Sequence, residues 1–184
     1  VKYIPTGGVT PANLAAYLDA GGRLFYCAQD YIWDRYPTAG AFTPGQFPYD
    51  YLGLASADQD AITNPYNIAG VAGSLAEGLA YGVIEDPEVG TYADDLTKQS
   101  VAGTYDVLDV TAKVGEKTGV AYDNGTFRTV FFTTLFEDIT DGANTKAELM
   151  YRILNWMSTG VEGPSTPLGA PITFSLANNY PNPV

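Results

Sequence analysis

Cys27 is the single cysteine of a chain that has no histidine, and a thiol is the strongest nucleophile a side chain offers. A thiol or a serine hydroxyl needs a base that titrates near neutrality to become a nucleophile. Without histidine neither a Ser-His-Asp triad nor a Cys-His dyad can be built within these residues. Histidine-ligated zinc is excluded for the same reason, and one cysteine cannot replace it. No intrachain disulfide can form. Cys27 has no neighbouring basic cluster to lower its pKa, so it reads as a small apolar residue closing a core strand, buried and slow to react. Gln29, Asp30 and Asp34 follow it directly. Tyr31, Trp33 and Tyr36 add flat surfaces that could stack on a sugar or peptide, and Gln29, Asp30 and Trp33 form the candidate ligand site. A loop folded over its own aromatics is the competing reading. Asp58, Asp60, Asp138, Asp141 and Asn144 are the oxygen ligands best suited to calcium, a common extracellular ion. The spacing of Asp138, Asp141 and Asn144 lacks the alternation of an EF-hand, and Asp141 or Asn144 serves equally well as a cap on the helix that follows. No other cofactor is expected. Glu137 ends a strand and could face the same edge as Asp30, but no catalytic role follows from sequence alone.

Local signals place the elements that hold these groups. Thr10 and Pro11 suit a helix start, Leu14, Tyr17 and Leu18 give its apolar stripe, and Gly21-Gly22 stop it. Residues 23–28 then read as a buried strand. A helix–GlyGly–strand unit is typical of a parallel α/β layer. Residues 47–52 suggest a short helical turn ended by Gly53. Residues 66–71 and 83–84 are weaker strand candidates, and 86–99 reads as a polar loop. Residues 105–110 alternate as a half-buried strand does. Asn124-Gly125 between 118–122 and 127–133 is a strong hairpin signal. Thr145 and Glu148 form a capping box, and Met150, Ile153, Leu154 and Met157 make the apolar stripe of the helix behind it, with Trp156 sealing its border. The fold class expected from this order is α/β: a three-layer sheet carrying an antiparallel hairpin at its edge, with 23–28 central.

The 184 residues fit one domain plus a tail, and 46% hydrophobic content argues against disorder in the body. The formal charge of −12, from 21 acidic against 9 basic residues, repels nucleic acid and anionic membranes. No apolar run is long enough to span a bilayer as a helix. The chain starts at Val1 without a signal-peptide pattern and reads as a piece of a longer protein.

Residues 160–171 are rich in Gly, Pro, Ser and Thr and read as a linker. After it, Phe174, Leu176, Asn179, Tyr180, Pro181, Asn182 and Pro183 match the run Phe-x-Leu-x-x-Asn-Tyr-Pro-Asn-Pro. This segment, 172–184, resembles the opening of the C-terminal sorting domain of type IX secretion in the Bacteroidetes and related phyla. The resemblance implies a secreted or cell-surface protein, with the type IX machinery and the other domains of a parent protein as partners. It also implies that 172–184 is a truncated unit separate from the body.

The body, 1–159, resembles the C-terminal portion of a glutamine-amidotransferase-like, flavodoxin-like domain of secreted bacterial multidomain proteins. The matching pieces are residues 14–30, 49–53, 119–137 and 149–157. The resemblance implies a flavodoxin-like sheet incomplete at its N-terminus. In enzymatic relatives a strand like 23–28 leads to a cysteine nucleophile at a sharp turn, a slot that Cys27 or Tyr26 would occupy here. The glycines of such a turn and the downstream histidine are absent. The expected function is therefore a non-catalytic scaffold or binding module, with a role accessory to a peptidase among those the resemblance implies. The alternatives are a hydrolase whose catalytic residues are completed by a missing N-terminal part, and a carbohydrate- or peptide-binding module.

Overall fold

The computed structural model describes residues 11–37, 40–63, 66–84, 90 and 92–159. Residues 160–171 and 172–184 lie outside them, as does the N-terminal part of the body, residues 1–10. Helix α1 (Pro11–Asp19) leads through Gly21-Gly22 into strand β1 (Arg23–Cys27). Two short helices follow, α2 (Tyr31–Arg35) and α3 (Phe47–Leu52), the second closed by Gly53 in the left-handed conformation at φ 68°. Then come β2 (Leu54–Thr63), β3 (Tyr66–Gly70), β4 (Ala80–Val83), β5 (Tyr92–Lys98), β6 (Thr104–Val110), β7 (Lys117–Asp123), β8 (Arg128–Phe132) and β9 (Ile139–Thr140). The last element described is α4 (Lys146–Thr159).

The strands form a curled seven-stranded mixed sheet in the order β1-β8-β7-β6-β3-β4-β9, and a two-stranded ribbon of β2 and β5. This overturns the expected flavodoxin-like, amidotransferase-like three-layer sheet. Within the seven-stranded sheet only β1 and β8 run parallel; every other pairing is antiparallel. The reason lies in the connections. A parallel neighbour needs a crossover of a dozen residues or more, usually helical. From β3 to β8 the described residues contain no helix, so successive strands turn back on one another. Strand β1 is also not central. It ends the sheet, and its residues Leu24 to Cys27 are half-buried.

The hairpin at Asn124-Gly125 joins β7 and β8, antiparallel, in the interior of the sheet rather than at its edge. Its loop is longer than a two-residue turn. Asn124 Oδ1 accepts the amides of Thr126 and Phe127, both at 2.9 Å, and Asp123 Oδ1 accepts that of Gly125 at 2.8 Å. These side-chain acceptors replace the backbone pairing a tight turn would supply.

Alternation along the strands sorts the apolar side chains into two cores. Phe25, Cys27, Ala121, Val130 and Phe132 face one, together with Leu149, Ile153, Trp156 and Met157 of α4. Leu24, Tyr26, Val120 and Phe131 face the other, with Leu18 of α1, Ile32 of α2, and Phe47 and Leu52 of α3. Half of the capping box of α4 forms: the Glu148 amide donates to Thr145 Oγ1 at 3.2 Å, while the Glu148 carboxylate accepts from Arg152 at 2.7 Å. The buried face of α4 is turned from the stripe read in the sequence. Trp156 is core at 2% exposure, whereas Leu154 is 46% exposed. At the other end of α4, Arg23 Nε and Arg128 each donate to the carbonyl of Met157 at 3.0 Å. Two cations there satisfy a helix C-terminus and oppose its negative dipole end.

Candidate functional site

The parallel pair β1–β8 ends where Cys27, Gln29, Asp30, Thr133 and Thr134 come together. Cys27 is closed in. Its Sγ donates to the carbonyl of Thr134 at 3.0 Å and accepts the amide of Phe136 at 3.1 Å. Burial pushes the thiol up to about 12, the Phe136 amide opposes that shift weakly, and Glu137 and Asp138 add to it. Burial and the two backbone contacts disfavour the thiolate, the form that attacks. Native protein should therefore react with a disulfide reagent at least about 100-fold more slowly than urea-unfolded protein, by the loss of thiolate and of access. Rapid stoichiometric modification of the native chain would contradict this geometry.

Of the candidate ligand groups, Gln29 is buried and Asp30 and Trp33 are exposed. Gln29 Nε2 donates to the carbonyl of Gly90 at 3.2 Å, while its Oε1 is buried without a partner among the described residues. Asp30 begins α2 without a side-chain cap, its carbonyl accepting the Asp34 amide at 2.9 Å. The aromatic loop is split. Tyr31 packs inward, edge-on to Tyr26, Tyr36, Phe47 and Phe131, and burial raises its pKa well above the usual phenol range. Trp33 stands at 46% exposure.

The calcium candidates do not assemble. Asp141 Oδ1 accepts the amide of Lys146 at 2.6 Å, at the first residue of α4. Asn144 Oδ1 accepts the amide of Ala80 at 2.9 Å and so pins β4. Asp138 is buried before β9. Asp58 and Asp60 lie on β2. Among the described residues no three His, Cys, Asp or Glu side chains are grouped as a metal's ligands would be.

The structure adds a residue that sequence reasoning passed over. Asp94 lies on β5, within the stretch read as a loop, and is 1% exposed. Its Oδ1 accepts the amide of Asp60 at 3.1 Å, and its backbone carbonyl accepts Thr133 Oγ1 at 2.8 Å. Burial raises its carboxyl to about 7; Asp60, Asp30 and Asp58 push the same way, and the one amide pulls back. The pair Asp94-Asp95 looks solvated in sequence, and only Asp95 behaves so. Asp95 Oδ1 accepts the Lys117 amide at 2.7 Å on a half-buried surface. No sequence signal separates the two.

No family model matches the sequence, and no curated protein matches it. Among solved structures the chain is similar to the cold-adapted β-galactosidase from Rahnella sp. R3, with a TM-score of 0.47 and 14% sequence identity. The match covers 80% of this chain and 20% of that one, so the chain spans about a fifth of the length of the protein it matches.

Proposed function

We propose that this chain is a non-catalytic scaffold or binding module of a secreted or cell-surface multidomain protein, working beside a catalytic domain such as a peptidase. The observation that carries the non-catalytic reading is the state of Cys27. The chain's only thiol is fixed between the Thr134 carbonyl and the Phe136 amide, in a chain with no histidine. Secretion rests on the run from Phe174 to Pro183, and the net charge of −12 suits a protein that must stay soluble outside the cell.

A second reading, a carbohydrate- or peptide-binding module, is favoured by the exposed Trp33 beside Asp30, while the aromatics around it turn inward. One set of experiments tests both. The full-length parent is expressed in a host with type IX secretion, with and without its complete sorting domain, and export should stop when that domain is removed. The purified chain should show no peptidase or esterase activity above that of its Cys27→Ala variant. Calorimetric titration with oligosaccharides and peptides, on the chain and on Trp33→Ala, decides the second reading. Normal export without the sorting domain refutes the secretion route. Turnover lost in Cys27→Ala refutes the non-catalytic reading.

A further inference from the structure

The ribbon of β2 and β5 carries a defect at its middle. The pairing shifts between Asp58 and Ile62, leaving residues 59–61 as a bulge. Asp60 sits in that bulge at φ 54°, and it is the one non-glycine residue with positive φ among the described residues. A non-glycine residue takes this conformation only when something holds it there. On either side of it Gln59 Nε2 donates to the Tyr36 carbonyl at 2.9 Å and Lys113 Nζ donates to the Ala61 carbonyl at 2.7 Å, and at Asp60 itself the holder is a side chain. Asp94 on the opposite strand accepts the Asp60 amide at 3.1 Å through Oδ1. Asp94 is itself fixed from below by Thr133, whose hydroxyl donates to the Asp94 carbonyl and whose own amide donates to Thr118 in the main sheet.

The other oxygen, Asp94 Oδ2, is buried with no hydrogen-bond partner among the described residues. A buried carboxylate needs two or three donors to stay ionised; this one has a single amide. The charged groups that face it are all acidic: Asp58 and Asp60 from β2, and Asp30 from the turn after β1. Strand β8 ends against it in Thr133, which is uncharged. One cation reaches the bulge, Lys113, whose Nζ donates to the Ala61 carbonyl and pairs with Glu116 at 3.4 Å, and two others are paired away from it. Lys117 of β7 pairs with Asp109 of β6 at 2.6 Å and gives its amide to Asp95. Arg35 of α2 pairs with Asp34 at 3.4 Å.

We propose that Asp94 is a proton-operated latch: with its carboxyl protonated it holds the Asp60 bulge of β2 against β5, and on ionisation it releases that bulge toward water. The closed geometry offers one amide to a carboxylate among three others. The proton removes the net charge while Oδ1 keeps its hydrogen bond. Loss of the proton, which burial places near neutrality, leaves a buried anion that gains most by opening the bulge, the longer of the ribbon's two irregular stretches. Asp58 and Asp60 move with it, so the acidic rim beside Asp30 changes shape across the neutral range.

The test uses the whole chain, wild type and Asp94→Asn. The amide retains an oxygen for the Asp60 N–H and cannot ionise. Two readouts are followed by NMR: the side-chain carboxyl carbon shift of Asp94, and exchange of the Asp60 amide corrected for its intrinsic pH dependence. Asp94 should titrate near neutrality. Protection of the Asp60 amide in wild type should fall at least about tenfold from pH 5 to pH 8, because opening gains up to tenfold per pH unit between the closed and open pKa values. In Asp94→Asn protection should be flat. Titration of Asp94 in the ordinary carboxylate range overturns the proposal, and that measurement needs no variant. The same fall in Asp94→Asn also overturns it. So does calcium at millimolar level restoring protection at pH 8 only when Asp94 is present and ionised, since the carboxylate would then be a cation ligand.

Discussion

The folded chain should lose about 2–4 kcal/mol of stability as pH rises from about 4 to about 7, and Asp94→Asn should remove most of that loss. The sign follows from linkage. The Asp94 carboxyl titrates in the folded chain at about 7, against about 3.9 when unfolded. Between those values the folded state binds more protons than the unfolded one, so raising the pH favours unfolding. The stabilising term is fully present below the unfolded pKa and gone above the folded one. Each unit of difference is worth about 1.4 kcal/mol, so roughly three units bound the effect at about 4 kcal/mol, and relaxation around the ionised group lowers it. Asp106, raised by burial against the pull of Lys98 and Lys117, adds in the same direction. Asp123, lowered by its hydrogen bond and charge pairing with Arg128, opposes them, its stabilisation being lost as pH falls. The sum is still expected to peak on the acid side. Urea denaturation at pH 4, 5.5, 7 and 8.5 measures it. Wild type more stable at pH 8.5 than at pH 5.5, or an equal slope in Asp94→Asn, would refute the assignment of the effect to this carboxyl. This global slope requires only that Asp94 be buried; the release of the Asp60 bulge is a separate, local event.

Sequence signals worked where the cause of structure is local. Gly21-Gly22 ends α1 and Gly53 ends α3 because each stop depends on one or two residues. Asn124-Gly125 marks the β7–β8 reversal, and the Thr145–Glu148 box marks the start of α4, for the same reason. What local signals could not supply is which strands become neighbours. The partner of β1 is β8, about a hundred residues on, and pairing at that distance decides whether a strand is central or at an edge. The helix–GlyGly–strand unit suggested a parallel layer, but one parallel pair is all that the later turns allow. Strands β2 and β5 escaped notice because Asp58, Gln59, Asp60, Asp94 and Asp95 lie inside them. Acidic residues are depleted in strands, and a bulge destroys the period-2 pattern that would have revealed one. The site divides the same way. That Cys27 has no histidine to activate it was legible from composition. The burial of Asp94 was not, since it is produced by β5 lying over Thr133 at the end of β8.

Trp156→Ala should destabilise the chain by about 3–5 kcal/mol, whereas Leu154→Ala should change stability by no more than about 0.5 kcal/mol. The apolar spacing of α4 suggests the opposite order, with Leu154 on the stripe and Trp156 at its border. The structure turns the helix so that the indole enters the core and Leu154 faces solvent. The ring meets Tyr105 of β6 edge-on at 6.4 Å, and the Arg128 guanidinium lies over it at 5.9 Å. Arg128 also pairs with Asp123 at 2.6 Å and donates to the carbonyl of Met157, so the indole braces a residue that fastens β8 to the end of α4. Truncation to alanine would empty a volume bounded by β6, β8 and α4 that a curled sheet cannot close by small shifts, so transfer and cavity terms add. Folded domains are stable by only about 5–15 kcal/mol, so this single change could remove half of the total. Paired urea titrations of the two variants at pH 5.5, where Asp94 is mostly protonated, isolate the packing term. Equal losses, or a larger loss for Leu154→Ala, would mean that α4 docks by its sequence stripe and that the core around Trp156 is wrongly placed.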